Sequence, residues 1–525
     1  MRPGMTRREV LRLAALLGVV PVASQLGACG SSDARLPDYQ FDGEPGPETL
    51  FSHGVASGDP LVDAVVLWSR LSPTAEEPLD VFWEVALDAD FGSRVGAGWT
   101  ATDAGSDYTV KIDAADLAAG TTYYYRFRAL GRTSPVGTTR TAPDGPVDRL
   151  RFGLVSCSNY PEGYFHAYRR LADRTDLDAI IHLGDYIYEY GAQGPVRPTD
   201  PPHEILSLED YRRRYALYRA DPDLQAAHLA FPWVTVWDDH ETANNSYEDG
   251  SDNHNPATEG SWVERKARAQ QAYSEWMPIR FAPGGPLFRS LAFGDLVDLI
   301  MLDTRIWGRD FQAVDYAALD VIRDPNRTML GFDQEEWLFD RLRSSTAQWK
   351  VIGQQVIFGW WKLGGAPNSE GGGTIANPDQ WDGYQPCRQR VWDTIRDGGV
   401  ENVVVLTGDV HSSWAMDLPD DPNDPANYDP DTGRGSLGVE IVAPGVTSGF
   451  PAVGFEGVIL AQNPHVKYGD TIHRGYVILD ITPERAKASW YHFDDVRQPE
   501  TVERVAATFA TASGTNHLVE EPDAV

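Results

Sequence analysis

The sequence predicts an α/β sandwich preceded by a small all-β domain. From Leu150 onward, short apolar runs alternate with amphipathic helical stretches, which is the texture of a layered α/β fold. Across residues 51–143, short runs of β-branched and aromatic residues are separated by turn residues, with no helical period between them. Four runs of the longer region end in polar residues, and ligand groups of open α/β sheets gather at that carboxyl edge.

Residues 1–32 read as a targeting signal and tether. Thr6-Arg7-Arg8-Glu9-Val10-Leu11 followed by the apolar residues 13–22 is a twin-arginine signal, which makes the twin-arginine translocase the expected export partner. Leu26-Gly27-Ala28-Cys29 resembles a lipoprotein processing box that lipidates Cys29, and Gly30-Ser31-Ser32 supplies a flexible spacer. The expected location is therefore the cell surface or periplasm, with the lipid anchor as the membrane contact. The apolar run is far short of the ~20 residues that a spanning helix needs.

Residues 33–48, rich in Pro and Gly, extend the tether. Residues 49–143 are expected to form a fibronectin III-like β-sandwich with strands near 64–68, 81–86, 108–112 and 122–127. Residues 150–500 form the larger domain. Strands are expected at 151–155, 179–183, 233–237, 296–302, 349–353 and 403–406, and helices near 165–173, 209–219, 262–276, 334–342 and 389–396. The segments 475–480 and 486–490 read as a closing hairpin, and 501–525 as a C-terminal tail.

The chain of 525 residues carries a net charge of −32, so a specific nucleic-acid-binding surface, which needs clustered Lys and Arg, is not expected. An anionic substrate would then call for bound cations, which can be the largest local charges in a site. Three cysteines, at 29, 157 and 387, exclude a disulfide framework. The Trp and Tyr rings read as core rather than as a carbohydrate platform.

The chemistry concentrates where the predicted strands stop. The run 179–183 ends at Gly184 and presents Asp185 with Tyr188 three residues on; 151–155 delivers Ser156-Cys157-Ser158-Asn159. The run 233–237 leads into Asp238-Asp239-His240-Glu241, and 403–406 into Gly408-Asp409-Val410-His411. A two-metal hydrolase needs a bridging carboxylate, further ligands and an imidazole or cation for the leaving group. Asp185 is the candidate bridge. Asp409 and His411, two apart on an extended segment, would point to one side; Asp239 and His240, adjacent, would point oppositely if the strand persists.

These residues lie within motifs that resemble the PhoD-type alkaline phosphatase/phosphodiesterase family of the calcineurin-like metallophosphoesterases. The motifs run nearly end to end: Phe-Ser-His-Gly-Val-Ala-Ser-Gly-Asp-Pro at 51–60, Leu67-Trp-Ser-Arg70, Ser156-Cys-Ser-Asn159, His182-Leu-Gly-Asp-Tyr-Ile-Tyr-Glu-Tyr190 and Trp237-Asp-Asp-His-Glu241 with Asn244-Asn245. They continue through Leu302-Asp-Thr-Arg305, Asp379-Gln-Trp-Asp-Gly-Tyr384, Thr407-Gly-Asp-Val-His411 and Arg474-Gly-Tyr-Val477. General metallophosphatases instead open with Asp-x-His. A thiolate and a phenolate suit a trivalent transition metal better than Mg²⁺ or Ca²⁺.

The resemblance implies a metallophosphatase-type α/β sandwich with Fe³⁺ held by Cys157, Asp185, Tyr188 and His411, and Ca²⁺ held by Asp185, Asp239 and Asp409. Asn159 and Asn245 are further metal-ligand candidates near the same cluster. His240 is the expected catalytic histidine, stabilising phosphoryl oxygens or protonating the leaving group. Arg305 is read either as a structural residue or as a contact to the phosphate. Cys387, His53, His166, His182 and His228 read as packing residues, and His465 and His473 as lying outside the site. The expected function is an exported phosphoesterase in which a metal-held hydroxide cleaves phosphate esters. A phospholipase D-like phosphodiesterase acting on phospholipid or polymer diesters, and an inert cell-surface binding protein, are the alternatives.

Overall fold

A computed structural model describes residues 36–191, 194–313 and 318–521. The twin-arginine motif and Cys29 therefore lie outside the described residues. From Asp38 onward the chain forms one compact unit. Its centre is a pair of sheets packed face to face, flanked by helices.

The first sheet has as its core the parallel strands Leu150–Val155, Ala179–His182 and Pro232–Thr235, with Val55–Gly58 parallel on the far side of Pro232–Thr235. The second is built on parallel Val297–Met301, Trp349–Gly353, Val403–Thr407 and Ser436–Val442. Every residue of Val403–Thr407 and of Ala179–His182 is buried, as expected of strands covered on both faces. Leu154, Ile181 and Val234 meet Leu299, Val351 and Leu406 in the layer between the sheets.

Helices cover the outer faces. In Gln385–Gly398, Cys387, Val391, Trp392 and Ile395 are buried, forming a stripe of helical spacing that packs with Leu338, Ile352 and Val405. Gly399, in the left-handed region at φ 60°, closes that helix, its N–H reaching back to Ile395 and Arg396. A capping box of Ser207 and Asp210 opens Leu208–Arg219.

Two segments set apart by composition join the large sheet. Val55–Gly58, Val65–Arg70 and Thr109–Ala114 extend it beyond Pro232–Thr235, while Leu79–Ala86, Arg94–Thr102 and Thr122–Ala129 lie in a separate antiparallel sheet. At the other edge the hairpin of Arg474–Ile481 and Arg485–Phe493 continues into Glu503–Ala512 and Val519–Glu520. The residues marked off as a tail thus supply strands. A β run reads the same in sequence whichever sheet receives it.

Register brings the carboxyl ends level. Val155 pairs with His182 and His182 with Thr235, while Gly353 pairs with Leu406 and Thr407 with Val442. Beyond the ends, a bridge of Ser156 to Gly445 ties the loop of one sheet to that of the other. Gly184 makes the first turn possible: its φ is 105°, and a Cβ there would sit 2.4 Å from that of Asp238. Gly184→Ala should cost about 2–5 kcal/mol through strain and overlap. At Gly399, where nothing crowds a Cβ, the same change should cost about 1 kcal/mol. Denaturant unfolding of the two variants checks the ranking.

Candidate active site

The strand ends empty into loops whose backbone turns sharply. Cys157, Asp185, Asn245, Asp409 and His411 all hold left-handed φ between 51° and 59°. A side chain there costs about 1–3 kcal/mol and persists only where its surroundings enforce it, a pattern typical of functional sites. The segment 409–411 is therefore not extended. Asp409 turns toward Asp238 and Asp239, and His411 toward Cys157 and Asp185.

Tyr188 occupies the centre of the first group. Its Oη donates to Asp185 Oδ2 at 2.8 Å, lies 3.1 Å from His411 Nε2 and accepts from Ser448 Oγ at 2.7 Å. Residues 185–188 form a loop with a bend at 186–187 rather than a helix, so the loop itself brings the two side chains together. Ligand atoms of Cys157, Asp185 and His411 lie within 4.8 Å of one another. Burial first, and then the neighbouring Asp185 charge, push both the Cys157 thiol and the Tyr188 phenol well above their ordinary pKa values.

The second group contains Asp185, Asp239 and His240, and the third Asp238, Asp239 and Asp409, each within 4.8 Å. The strand stops at Thr235, so the turn that follows carries Asp239 and His240 to the same side, not to opposite ones. His240 Nδ1 lies 2.6 Å from Glu189 Oε2, and its ring stacks on Tyr188 at 4.2 Å. Burial opposes a charge on His240, but Glu189, Asp239 and Asp185 outweigh it and hold the imidazole well above its usual pKa.

Arg305 had two readings, structural or phosphate-binding. Its guanidinium is wholly buried, Nε on Asp238, Nη1 on Asp379 at 2.8 Å and Nη2 on Asp409. With its fork engaged on carboxylates, Arg305 has the contacts of a residue that positions the acids, the structural one of its two readings. Asn159 gives its backbone carbonyl to Thr447 Oγ1, and no described contact joins its amide to the carboxylates. Asn245 donates its backbone N–H to Asp239 at 2.6 Å, while its side-chain amide turns away to Asp252.

Several participants escaped sequence reading, namely Glu189, Asp238, Glu241, Asp379 and Gln380. Glu241 accepts the N–H groups of Asp185, Tyr186 and Asp238, which fixes the two ligand turns against each other. Gln380 Nε2 holds Asp409 Oδ2 at 2.7 Å. All lie inside the motifs quoted above; Glu189, Asp238 and Glu241 each adjoin an assigned residue, whereas Asp379 and Gln380 had only their motif as a signal. Three further histidines pack: His182 against Tyr168, His228 against Tyr186, and His465 on the Trp360 carbonyl.

A cavity of ≈ 400 Å³ opens over the cluster, with Asp185, Asp239, His240, Asp409 and His411 on one side and Trp361, Ala376, Asn377, Phe450, Pro451 and Phe455 on the other. Of the long insertions 191–230 and 244–290, only Asn244 lines it. The donor set fits metal ions. Tyr188 Oη stands 2.8 Å from Asp185 Oδ2 and 3.1 Å from His411 Nε2, and those two atoms are 3.8 Å apart, close enough for all three to serve one ion. Buried carboxylates outnumber Arg305, Arg309 and His240, and Asp238 Oδ2 is buried without a hydrogen-bond partner.

Acids, imidazoles, a thiol and a phenol gathered at level strand ends over a cavity define a hydrolase site on an α/β sandwich. The chain belongs to the PhoD-like phosphatase family: the PhoD-like phosphatase domain matches residues 152–490, and the PhoD-like phosphatase N-terminal domain matches 39–143. It is 41% identical over 485 residues to alkaline phosphatase D of Bacillus subtilis (strain 168), covering 87% of this chain and 80% of that one. The solved structure of PhoD superposes with a TM-score of 0.83 at 38% identity, covering 93% and 94% of the two chains. The protein is a phosphoric-ester hydrolase, and small-molecule phosphate esters are its substrate class. Glu189→Gln, which keeps the shape but removes the charge facing His240, should lower kcat on a nitrophenyl phosphate by about 10–100-fold. KM within about 3-fold of the parent and an unchanged Tm would mark this as a loss of positioning; a fall in Tm instead would make Glu189 structural.

Proposed function

We propose that this phosphoesterase works with Fe³⁺ held by Cys157, Asp185, Tyr188 and His411 and with Ca²⁺ held by Asp185, Asp239 and Asp409, joined by Asp238. The observation that carries this is Tyr188 Oη, set between Asp185 and His411 beside the buried Cys157 thiol. Oxygen-only groups on the Asp239 side suit calcium, whereas the S, O and N donors around Tyr188 suit a ferric ion. When bound, such ions supply positive charge for the phosphate and acidify water.

The chain's own residues do the rest. His240, with Nδ1 tied to Glu189, turns its other ring nitrogen to protonate the leaving oxygen. Arg305 keeps Asp238, Asp379 and Asp409 from drifting apart by their mutual repulsion. The wall of Trp361, Phe450, Pro451 and Phe455 gives apolar room for an ester arm, which favours extending the reading from monoesters to diesters, phospholipids or phosphodiester polymers among them.

Elemental analysis of the purified protein should find iron and calcium, with a visible charge-transfer band that Tyr188→Phe removes without unfolding. A colourless, iron-free protein of full activity would overturn the ferric reading.

Export by the twin-arginine route and anchoring at Cys29 complete the proposal, supported by Arg7-Arg8 and the 26–29 box. Among the described residues no helix is long and apolar enough to cross a membrane. Replacing both arginines by Lys should trap the precursor inside the cell, and Cys29→Ser should release the exported protein from membranes. Normal export of the first variant, or membrane retention of the second, would refute the corresponding part.

A further inference from the structure

A second constellation of metal-binding side chains lies outside the catalytic groups, at the edge where the two sheets meet. Asp470 ends the strand Val466–Asp470 of the second sheet, and His492 lies in Arg485–Phe493 of the first. His473 stands in the turn that leads from one sheet to the other. His473 Nδ1 is 2.8 Å from Asp470 Oδ2, His492 Nδ1 is 3.8 Å from that same oxygen, and one ligand atom from each residue falls within 4.8 Å of the others. The two imidazoles stack at 5.3 Å.

Three features show that these groups are aimed at a shared point. His492 is completely buried, yet its Nδ1 has no hydrogen-bond partner, a costly arrangement for a polar nitrogen turned toward two potential ligands. Its other nitrogen lies 2.9 Å from Ser413 Oγ, which can accept Nε2–H and so leave the Nδ1 lone pair facing Asp470. Asp470 is fixed in turn: its Oδ1 accepts the backbone N–H groups of Ile472 and His473 at 2.9 and 2.8 Å, leaving Oδ2 to face the rings. Burial holds the His492 pKa down at about 4, so its imidazole is neutral and able to ligate at neutral pH.

We propose that Asp470, His473 and His492 form a site for a divalent transition metal of the zinc class, which clips strands of the two sheets together. Two imidazole nitrogens and one carboxylate oxygen are the common three-ligand set for Zn²⁺, with a fourth position left to water. The side chains of His473 and Asp470 are about a fifth exposed, and His473 lines a cavity of ≈ 360 Å³ through which an ion can enter. Arg504 Nη2 contacts His473 Nε2 at 2.7 Å, while its Nη1 pairs with Asp494. Ligation through Nδ1 protonates Nε2 and displaces that contact, so Arg504 competes with the metal. The site shares no residue with the catalytic groups, and its occupancy does not depend on their metals.

The test is equilibrium dialysis of the purified holoenzyme against Zn²⁺, with zinc counted per chain and thermal unfolding followed in parallel. Wild type should retain one equivalent more than His473→Gln, whose partly exposed turn position, away from the catalytic groups, leaves the fold and the phosphoesterase rate intact. Asp470→Asn should lose the same equivalent. Affinity should fall at least about 100-fold in both variants, and the zinc-dependent rise in Tm, about 2–5 °C, should vanish with it. Arg504→Gln should keep the equivalent and bind it several-fold more tightly, an outcome that a merely structural cluster would not give. Equal zinc content and equal thermal shifts in wild type and His473→Gln would overturn the proposal.

Discussion

A guanidinium buried to the last atom among carboxylates is the constraint on which this structure turns. Arg305 reaches Asp238 from one loop, Asp379 from a second and Asp409 from a third, and so joins strand ends of both sheets. Arg309 doubles the hold on Asp379 and also bonds the Tyr384 hydroxyl. Carboxylates in a low-dielectric interior repel one another by several kcal/mol unless a cation intervenes. Without that charge the loops would separate, and a site assembled from distant parts of the chain would have no fixed geometry.

The loops reach this arrangement at a local cost. Parallel strands deliver the chain in extended form, and an extended chain would carry Asp185 or Asp409 past the cluster. One residue in the left-handed region reverses the path at each end. Asp and Asn tolerate that region better than most residues, because their short polar side chains bond locally. Cys157 and His411 are less suited to it, and they too adopt it. The turn at Cys157 is held by its own N–H to the Gly184 carbonyl within the first sheet and by Val446 N–H to the Ser156 carbonyl, which crosses between the sheets.

How much of this could be read from sequence depended on range. The strands that end in Asp185, Asp239 and Asp409 were legible, since a buried strand and a glycine turn are local signals. The directions of Asp239 and His240 were not, because the alternation of a strand applies only while the strand lasts, and this one stops at Thr235. Arg305 was undecidable from its neighbours: the carboxylates that engage it lie 67, 74 and 104 residues away. The same holds for Val55–Gly58, which pairs with Pro232–Thr235 across most of a domain's length of chain. Asp470 and His492 belong to different sheets, and only the fold makes them neighbours.

The acids left over once Arg305 and His240 are matched link the fold to its ionic surroundings. Burial, with the neighbouring charges, raises Asp409 to about 6 and Glu241 to about 8, well above the range near 4 of an unfolded carboxylate. Between those limits the folded chain binds more protons than the unfolded one, so from about pH 4 to 8 stability due to these groups falls as pH rises. A divalent cation among the same oxygens reverses the sign, since it favours the ionised form and binds only the assembled site. A cation bound there would compete with protons for one cluster and would prevail at alkaline pH. A surface of net charge −32 leads to the same balance: it repels anionic substrates at long range, and salt screens that repulsion within about 10 Å. Attraction has to come from within the cavity, where ions held by buried acids would act on phosphate with little water between them.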